Sequence, residues 1–257
     1  MDILPGLTTQ QLGRRLIRLA QVDSTNDYLK EHAHTLPDLS VVMADRQTRG
    51  KGRSGRDWHS QPGDGLYMSV LLKDACAGAL SRMPLLVALA VRAGLGNLCG
   101  LPFEIKWSND LLFDGKKLCG ILCENRPIAG QNTVAIGIGV NLTQSREALD
   151  HLGLVYATSL LLATNKLFSP KQTAGAICNA LEGVLLQSSG DISPLWEQYR
   201  KHCVTLGRQV KIIRGDEQTD AKAVDIAEDG SLICEIDGRL VPICAGEVRI
   251  RGMDGYV

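Results

Sequence analysis

The sequence of 257 residues is 44% hydrophobic and 22% charged, which is typical of a globular protein and excludes a disordered or fibrous chain. This length predicts one large domain, or a large domain and a small one, with room for a substantial hydrophobic core. Lys and Arg together number 28, as do Asp and Glu, so the formal net charge is zero; because proteins that bind along nucleic acids usually carry a basic excess, any charge-driven function must come from a local cluster.

The first part of the chain alternates predicted strands and helices. After a lead-in that ends near Val22, the patterns predict a helix over 23–36, a strand over 39–47, a loop rich in Gly and Arg over 48–57 and a strand over 65–73. A helix follows over 81–100, with Ser81 as its cap and Gly96 or Gly100 at its end. Further along, we expect a strand, an Asp-Gly turn and a second strand over 103–125, a strand over 133–142, and helices over 171–187 and 192–202.

The pattern changes after Leu206. Five short strands, separated by turn signals rich in Gly and Asp, are typical of a small β-barrel. We therefore predict an α/β domain over 1–205 and a β domain over 206–257.

The cysteines and the apolar segments bear on where the protein is found. Eight cysteines are scattered through the chain, and no signal peptide precedes them, so we expect reduced and mostly buried thiols. Cys119 and Cys123 lack a second pair, so no zinc is expected. The longest apolar stretch, at 83–91, has nine residues, whereas a membrane span needs about twenty. These observations predict a soluble, cytoplasmic protein without a membrane partner.

The loop RQTRGKGRSGRDW (46–58) carries the densest positive charge in the chain. It has five cations and three glycines between residues 46 and 56, and glycine lets backbone N–H groups approach an anion closely. The string matches neither a Walker A loop nor, in its context, a dinucleotide-binding fingerprint. An anion-binding loop and a solvated or nucleic-acid-binding basic loop remain equal alternatives on composition alone.

Two further motifs hold chemically active side chains. KWSNDLL (106–112) and GKKLCGIL (115–122) lie on neighbouring strands, so Lys106, Asn109, Asp110 and Lys117 can converge on one face. That set suits phosphoryl or acyl-phosphate chemistry with Mg²⁺, and the alternative is an ordinary surface ion pair. In GIGVNL (137–142), glycines within a buried strand mark a close approach by a backbone or a ligand.

In this order and spacing, the motifs resemble those of the biotin protein ligases. The residues that carry the resemblance are DSTN (23–26), GKGRSGRDW (50–58), KWSND (106–110), KKLCGIL (116–122) and GIGVNL (137–142). The resemblance implies an α+β fold, with a mixed-sheet catalytic domain flanked by helices and a small SH3-like β-barrel at the C-terminus. It also implies a form without the N-terminal DNA-binding domain of some members, because DSTN begins at residue 23.

The implied reaction has two steps and uses ATP, Mg²⁺ and biotin. Biotin is activated as biotinyl-5′-AMP and then transferred to a lysine of a biotin carboxyl carrier protein, such as a subunit of acetyl-CoA carboxylase. No DNA partner is expected, and a homodimer is compatible with the resemblance. The alternatives are a lipoate ligase or lipoyl/octanoyl transferase of the same fold and, in another class, a non-catalytic nucleic-acid-binding module.

The resemblance also assigns roles to residues. Biotin is expected to contact Ser24, Thr25, Asn26, Gln47, Lys51, Gly52, Arg53 and Lys117. ATP is expected to contact Arg53, Arg56, Trp58, Asn109, Asp110 and Asn141, with Mg²⁺ bound transiently near Asn109 and Asp110. The catalytic set is Arg53, Lys106, Asp110 and Lys117, with Arg251 as a further candidate at the adenylate.

Two positions depart from the family pattern. Lys51 stands where the family often has Arg, which keeps the charge but loses the bidentate geometry. Ser108 replaces the usual Pro, which makes the turn less rigid. Neither change removes a charged group. The glycine content of the 48–58 loop also predicts that the loop orders only when ligand binds.

Overall fold

The computed structural model describes residues 3–128, 130–245, 248–252 and 256. A seven-stranded sheet has the order β1-β2-β3-β7-β6-β5-β4, and all its pairs are antiparallel except β1 with β2. Its strands are β1 (Leu16–Val22), β2 (Val41–Gln47), β3 (Gly65–Leu72), β4 (Glu104–Lys106), β5 (Asp110–Phe113), β6 (Lys116–Ile128) and β7 (Gln131–Asn141). The mixed-sheet α+β fold predicted from the sequence is confirmed.

Helices cover both faces of this sheet. They are α1 (Thr25–His32), α2 (Met83–Cys99), α3 (Arg146–His151), α4 (Leu160–Thr164), α5 (Pro170–Ser188) and α6 (Ser193–His202). The larger core lies between the sheet and the paired helices α2 and α5. A smaller core lies on the opposite face, where Leu29 of α1 packs against Val42, Leu71 and Ala135. Successive strand residues point to opposite faces, so Val41 and Val42 belong to different cores.

The structure corrects three sequence-based expectations. Ser81 does not cap α2; its Oγ donates to Asp229 O, and α2 starts with Pro84 in its first turn instead. The strand predicted over 103–113 is broken by a turn at 107–109 into β4 and β5, which pair with each other. The short helices α3 and α4 follow β7 and were not predicted, because they are only six and five residues long and lack a clear apolar period.

Two predicted chain reversals are confirmed. Asp114 and Gly115 have φ of 51° and 68°, the left-handed conformation typical of a tight hairpin turn. Gly100 ends α2 with φ of 72°.

The C-terminal part forms a five-stranded antiparallel sheet of order β11-β10-β9-β8-β12. Its strands are β8 (Gln209–Arg214), β9 (Glu217–Ile226), β10 (Leu232–Ile236), β11 (Arg239–Ile243) and β12 (Arg249–Gly252). The prediction of a small β domain here is confirmed, while the division at residues 205 and 206 stays a prediction. Buried side chains of both sheets belong to one continuous core.

Side chains of the N-terminal part donate to main-chain oxygens in the loops of the C-terminal part. Trp107 Nε1 donates to Gly230 O at 3.0 Å and Trp196 Nε1 to Glu228 O at 3.2 Å. Arg53 Nη2 donates to Val248 O at 3.2 Å. Together with the Ser81 bond, these contacts fix the second sheet beside the first.

None of the helices in the described part of the chain is both long enough and apolar enough to cross a bilayer.

Candidate active site

A cavity of about 310 Å³ opens on the face of the first sheet that carries α1. Its walls come from the start of α1, the basic loop, strands β6 and β7, and the segment that follows α3. Of the residues predicted for the site, those that line the cavity are Ser24, Thr25, Asn26, Gln47, Lys51, Gly52, Arg53, Arg56, Trp58, Asn109, Lys117, Asn141 and Arg251. Lys106 and Asp110 lie behind this wall, where Asp110 contacts Lys117.

The DSTN residues form a buried polar end of the cavity. Ser24 caps α1, and its Oγ accepts from the Asp27 backbone N–H. Thr25 and Asn26 are only 4% and 3% exposed. Ser69 Oγ lies 2.7 Å from Thr25 Oγ1 and donates to Asn26 Oδ1 at 2.6 Å, while Gln47 Oε1 accepts from the Thr25 backbone N–H. This end therefore holds its donors and acceptors in fixed orientations.

Glycines of β6 and β7 form the floor of the cavity. A Cβ on Gly137 would lie 2.6 Å from Asn26 Oδ1, and one on Gly139 would lie 2.5 Å from Trp58 Cε2. Gly120, which pairs with Gly139 across the ladder, would bring a Cβ within 2.8 Å of the same ring. The close approach predicted for GIGVNL is therefore made by the side chains of Asn26 and Trp58, and not by another backbone.

The basic loop lies over this floor and is fixed by charge. A 3-10 turn spans Arg53–Gly55, with Ser54 in the left-handed region at φ of 56°. Lys51 Nζ pairs with Asp27 Oδ2 of α1 at 2.6 Å, and Arg49 pairs with Asp23. The loop is thus tied to the acidic residues of the α1 start. Its ordering on ligand binding stays a prediction.

Arg53 contacts three separate parts of the structure. Its Nη1 donates to Ser108 Oγ and to Asn109 Oδ1, both at 2.8 Å, and its Nη2 binds the second sheet at Val248. One guanidinium therefore joins the loop, the β4–β5 turn and the C-terminal sheet. Arg56, by contrast, is exposed and donates only to Arg53 O among the contacts described.

The charged residues of KWSND and KKLCGIL converge as predicted. Lys106 and Asp110 are partners in the β4–β5 ladder, and Asp110 Oδ1 lies 2.7 Å from Lys117 Nζ. The Asp110 side chain is 13% exposed and Lys106 is 5% exposed, which excludes an ordinary surface pair. Tyr256, which the sequence reasoning did not identify, donates from its hydroxyl to Asp110 Oδ2 at 2.5 Å.

The surroundings shift the pKa values of two of these groups. Burial opposes the charge of Asp110, but Lys117, Tyr256 and Lys106 outweigh it and hold its pKa below the usual value. The pKa of Lys106 falls to about 7, chiefly through burial; the attraction of Asp110 opposes this fall, and the nearby cations Arg251, Lys117 and Arg56 add to it. The site thus pairs an ionised carboxylate with a lysine that titrates near neutral pH.

The donor set near Asn109 and Asp110 does not fit a resident Mg²⁺. Asn109 Oδ1 accepts from Arg53, and both carboxylate oxygens of Asp110 are engaged by Lys117 and Tyr256. Among the described residues, no group of three or more His, Cys, Asp or Glu is placed to hold a metal ion. A Mg²⁺ used here would be bound through nucleotide phosphates.

Two buried polar atoms in the cavity wall have no hydrogen-bond partner among the described residues: the donor Trp58 Nε1 and the acceptor Gln144 Oε1. Gln144 was not predicted; the signal is weak, because a single Gln after GIGVNL has no motif of its own. Asn141 instead has a visible structural role, since its Nδ2 donates to Thr158 O at 2.9 Å.

Comparison with known proteins identifies the family. Residues 19–141 match the biotin/lipoate A/B protein ligase family, and residues 205–251 match the biotin protein ligase C-terminal domain. The bifunctional ligase/repressor BirA of Bacillus subtilis is 31% identical over 97% of this chain and 78% of its own length. This chain belongs to the biotin protein ligase family.

Other relatives agree with this assignment. The biotin–[acetyl-CoA-carboxylase] ligase of Mycobacterium tuberculosis is 32% identical over 91% of this chain and 88% of its own length. The biotin protein ligase from Aquifex aeolicus in complex with biotin and ATP superposes with a TM-score of 0.79 at 31% identity, covering 93% of this chain and 99% of that one. The predicted family, fold and enzyme class of this ligase are confirmed.

Proposed function

We propose that this ligase makes biotinyl-5′-AMP from biotin and ATP and transfers the biotinyl group to a lysine of a biotin carboxyl carrier protein. In the first step, a carboxylate oxygen of biotin attacks the α-phosphorus and pyrophosphate leaves. In the second, the lysine amine attacks the acyl carbon, AMP leaves and the amine loses a proton. The observation that carries the proposal is one cavity with a buried polar end and a cationic end.

The polar end suits the biotin ring system. Ser24, Thr25, Asn26 and Gln47 offer fixed donors and acceptors for a ureido group, and the glycines of β6 and β7 let Asn26 and the Trp58 ring lie close against the sheet. Lys51 and Gly52 of the basic loop would cover the ligand. This support for the biotin site is geometric.

The cationic end suits the reacting carboxylate and phosphates. Arg53 and Lys117 line the place where two anionic reactants must meet, with Lys106 behind them, and positioned cations there stabilise the charge of the transition state. Arg56 would face the phosphates from the loop. Trp58, Asn109 and Asn141 would line the nucleotide side, where Trp58 Nε1 is a free donor among the described residues. Arg251 lines the same cavity.

Asp110 is the group we assign to the acceptor lysine. It is buried and ionised, and each carboxylate oxygen can accept a second hydrogen bond. It could therefore orient the incoming amine and accept its proton. Lys117 would then bridge the Asp110 carboxylate and the acyl-phosphate.

The partners follow from the same reaction. The carrier is proposed to be the biotin domain of a carboxylase or decarboxylase subunit. We propose no DNA-binding role for the described residues, because the loop cations Arg49, Lys51 and Arg53 are engaged by Asp23, Asp27 and Asn109. A cytoplasmic location and a homodimer stay predictions; sedimentation velocity tests the homodimer.

Release of labelled AMP tests the proposal directly. The purified chain is given ATP, Mg²⁺ and a carrier domain with biotin, lipoate or octanoate in turn. We expect AMP release and carrier labelling with biotin alone. Turnover only with lipoate or octanoate would favour a lipoate ligase, and labelling of the carrier only from an octanoyl thioester, without ATP, would favour a transferase. A salt-sensitive gel shift without any turnover would favour a nucleic-acid-binding module.

A further inference from the structure

Tyr256 contacts two of the charged groups at the cationic end of the cavity. Its hydroxyl donates to Asp110 Oδ2, its backbone oxygen accepts from Lys106 Nζ at 2.5 Å, and its ring centre lies 3.7 Å from that same nitrogen. Tyr256 also lines the cavity itself. A residue distant in sequence from the ligase motifs is thus bound directly to two of the residues assigned to the reaction.

The ring of Tyr256 is held from both sheets. Arg251 of β12 lies with its guanidinium carbon 5.0 Å from the ring centre, and the ring of Tyr156, from the segment after α3, stacks at 5.9 Å and 30°. Lys106 at the end of β4 supplies the third contact. Three elements therefore fix the position from which the hydroxyl reaches Asp110.

The contacts give Tyr256 two separate effects. Lys117 forms an ion pair with Asp110 Oδ1, and the Tyr256 hydroxyl donates a hydrogen bond to Oδ2. The carboxylate is thus held at both oxygens, while lone pairs remain for an incoming amine. Among the described residues, Tyr256 alone lies within bonding distance of Lys106 Nζ. The hydroxyl thus acts on Asp110, whereas the ring and the backbone oxygen act on Lys106.

We propose that Tyr256 is a positioning residue for the ligase reaction: its hydroxyl orients Asp110 for the acceptor lysine, and its ring holds Lys106 for the phosphates. This inference rests on the proposed function, since it deepens the roles given there to Asp110 and Lys106. The charged groups that face Asp110 are Arg53, Lys106 and Lys117, with the neutral Tyr256, Cys119 and Tyr199 beside them.

The two effects separate the two half-reactions. Tyr256→Phe removes the hydroxyl and keeps the ring, so we expect transfer from purified biotinyl-5′-AMP to slow about tenfold, as for loss of a hydrogen bond to a charged group. Biotin-dependent exchange of pyrophosphate into ATP should stay within about twofold of the wild type, since Lys106 keeps its contacts. Tyr256→Leu also removes the ring and should in addition raise KM for ATP by about threefold or more.

The matched control is Tyr28→Phe, which makes the same chemical change on α1, where the ring stacks on His32 outside the cavity. Transfer is measured with a carrier domain that the wild-type ligase biotinylates, and thermal unfolding reports the fold of each variant. The proposal is overturned by wild-type transfer in Tyr256→Phe, or by equal losses in both half-reactions. A wild-type chain that makes no biotinyl-5′-AMP would instead overturn the proposed function.

Discussion

Gly139 is the position where one added methyl group tests the floor of the active site. A Cβ there would lie 2.5 Å from Trp58 Cε2 and 2.6 Å from Trp58 Nε1, whereas an ordinary contact starts at 3.4 Å. The ring must therefore move by about 1 Å, and overpacking of this kind typically costs about 1–3 kcal/mol.

The displaced ring should affect catalysis more than folding. Trp58 ends the basic loop that carries Lys51 and Arg53, so moving it also moves these cations. A misplacement of about 1 Å can lower a rate by about 100-fold. We expect Gly139→Ala to lower kcat/KM for ATP by about 10- to 100-fold in biotin-dependent pyrophosphate exchange, while the free energy of unfolding in urea falls by no more than about 3 kcal/mol.

Gly183→Ala is the matched control. Gly183 lies on an exposed part of α5, and a Cβ there meets nothing within 4 Å. Alanine in a helix interior is favoured over glycine by about 0.5–1 kcal/mol, so this variant should be slightly more stable and fully active. Wild-type kcat/KM in Gly139→Ala would refute the reasoning, because it would mean that the Trp58 ring does not rest on this floor during the reaction.

Three further predictions concern the charged groups. Arg53→Gly should open the loop and release biotinyl-5′-AMP, which would label lysines of serum albumin in a blot; labelling at the wild-type level would contradict this role. Lys117→Met should abolish adenylate formation and lower the free energy of unfolding by about 3 kcal/mol, because it leaves the buried Asp110 without its nearest cation. The double variant Lys117→Met with Asp110→Asn should regain part of that stability but no activity. If the losses of stability in the two single variants simply add in the double variant, the Lys117–Asp110 ion pair does not stabilise the fold. The pKa of Lys106 is about 7 in the folded chain and near 10.5 ordinarily. Between pH 7 and pH 10.5, Lys106 is therefore protonated in the unfolded chain but not in the folded chain. The free energy of unfolding should therefore rise with pH across that window by up to about 1.4 kcal/mol per unit relative to Lys106→Met; identical pH dependence in both proteins would disprove the shift.

Much of the fold follows from local patterns that the sequence displays. The β-branched run at 41–47 and the Asp-Gly turn at 114–115 each form the element that their composition favours. Ser81 has a cap-forming side chain, but a bond to Asp229, far away in sequence, competes for its hydroxyl. The break between β4 and β5 has a tertiary cause as well, since the Trp107 backbone N–H donates to Thr205 Oγ1 rather than to a strand.

In the site, too, the features set by local sequence were predicted and those set by contacts between distant residues were not. Lys106, Asp110 and Lys117 lie together as predicted, but by a different route. Lys106 and Asp110 face each other across the unpredicted β4–β5 turn, and the side chain of Lys117 reaches Asp110 from β6. Tyr256 carries no motif, and its contact with Asp110 spans 146 positions of sequence. Asp27 directly follows DSTN, yet its pairing with Lys51 depends on how the basic loop folds back over α1.

The hydrogen bonds between the N-terminal and C-terminal parts of the structure determine which substitutions the ligase can tolerate there. The acceptors are main-chain oxygens, which every amino acid supplies: those of Glu228, Asp229 and Gly230 in the β9–β10 loop and that of Val248 just before β12. At Glu228, Asp229 and Val248 the side chain can therefore change without removing the acceptor, as long as the backbone keeps its path. Gly230, with φ of 87°, and Asp225, whose side chain pairs with Arg200 of α6, are more constrained. A chimaera that carries the C-terminal sheet of a distant relative should keep these bonds, and the donors Trp107, Trp196, Ser81 and Arg53 are the residues that such a design must retain.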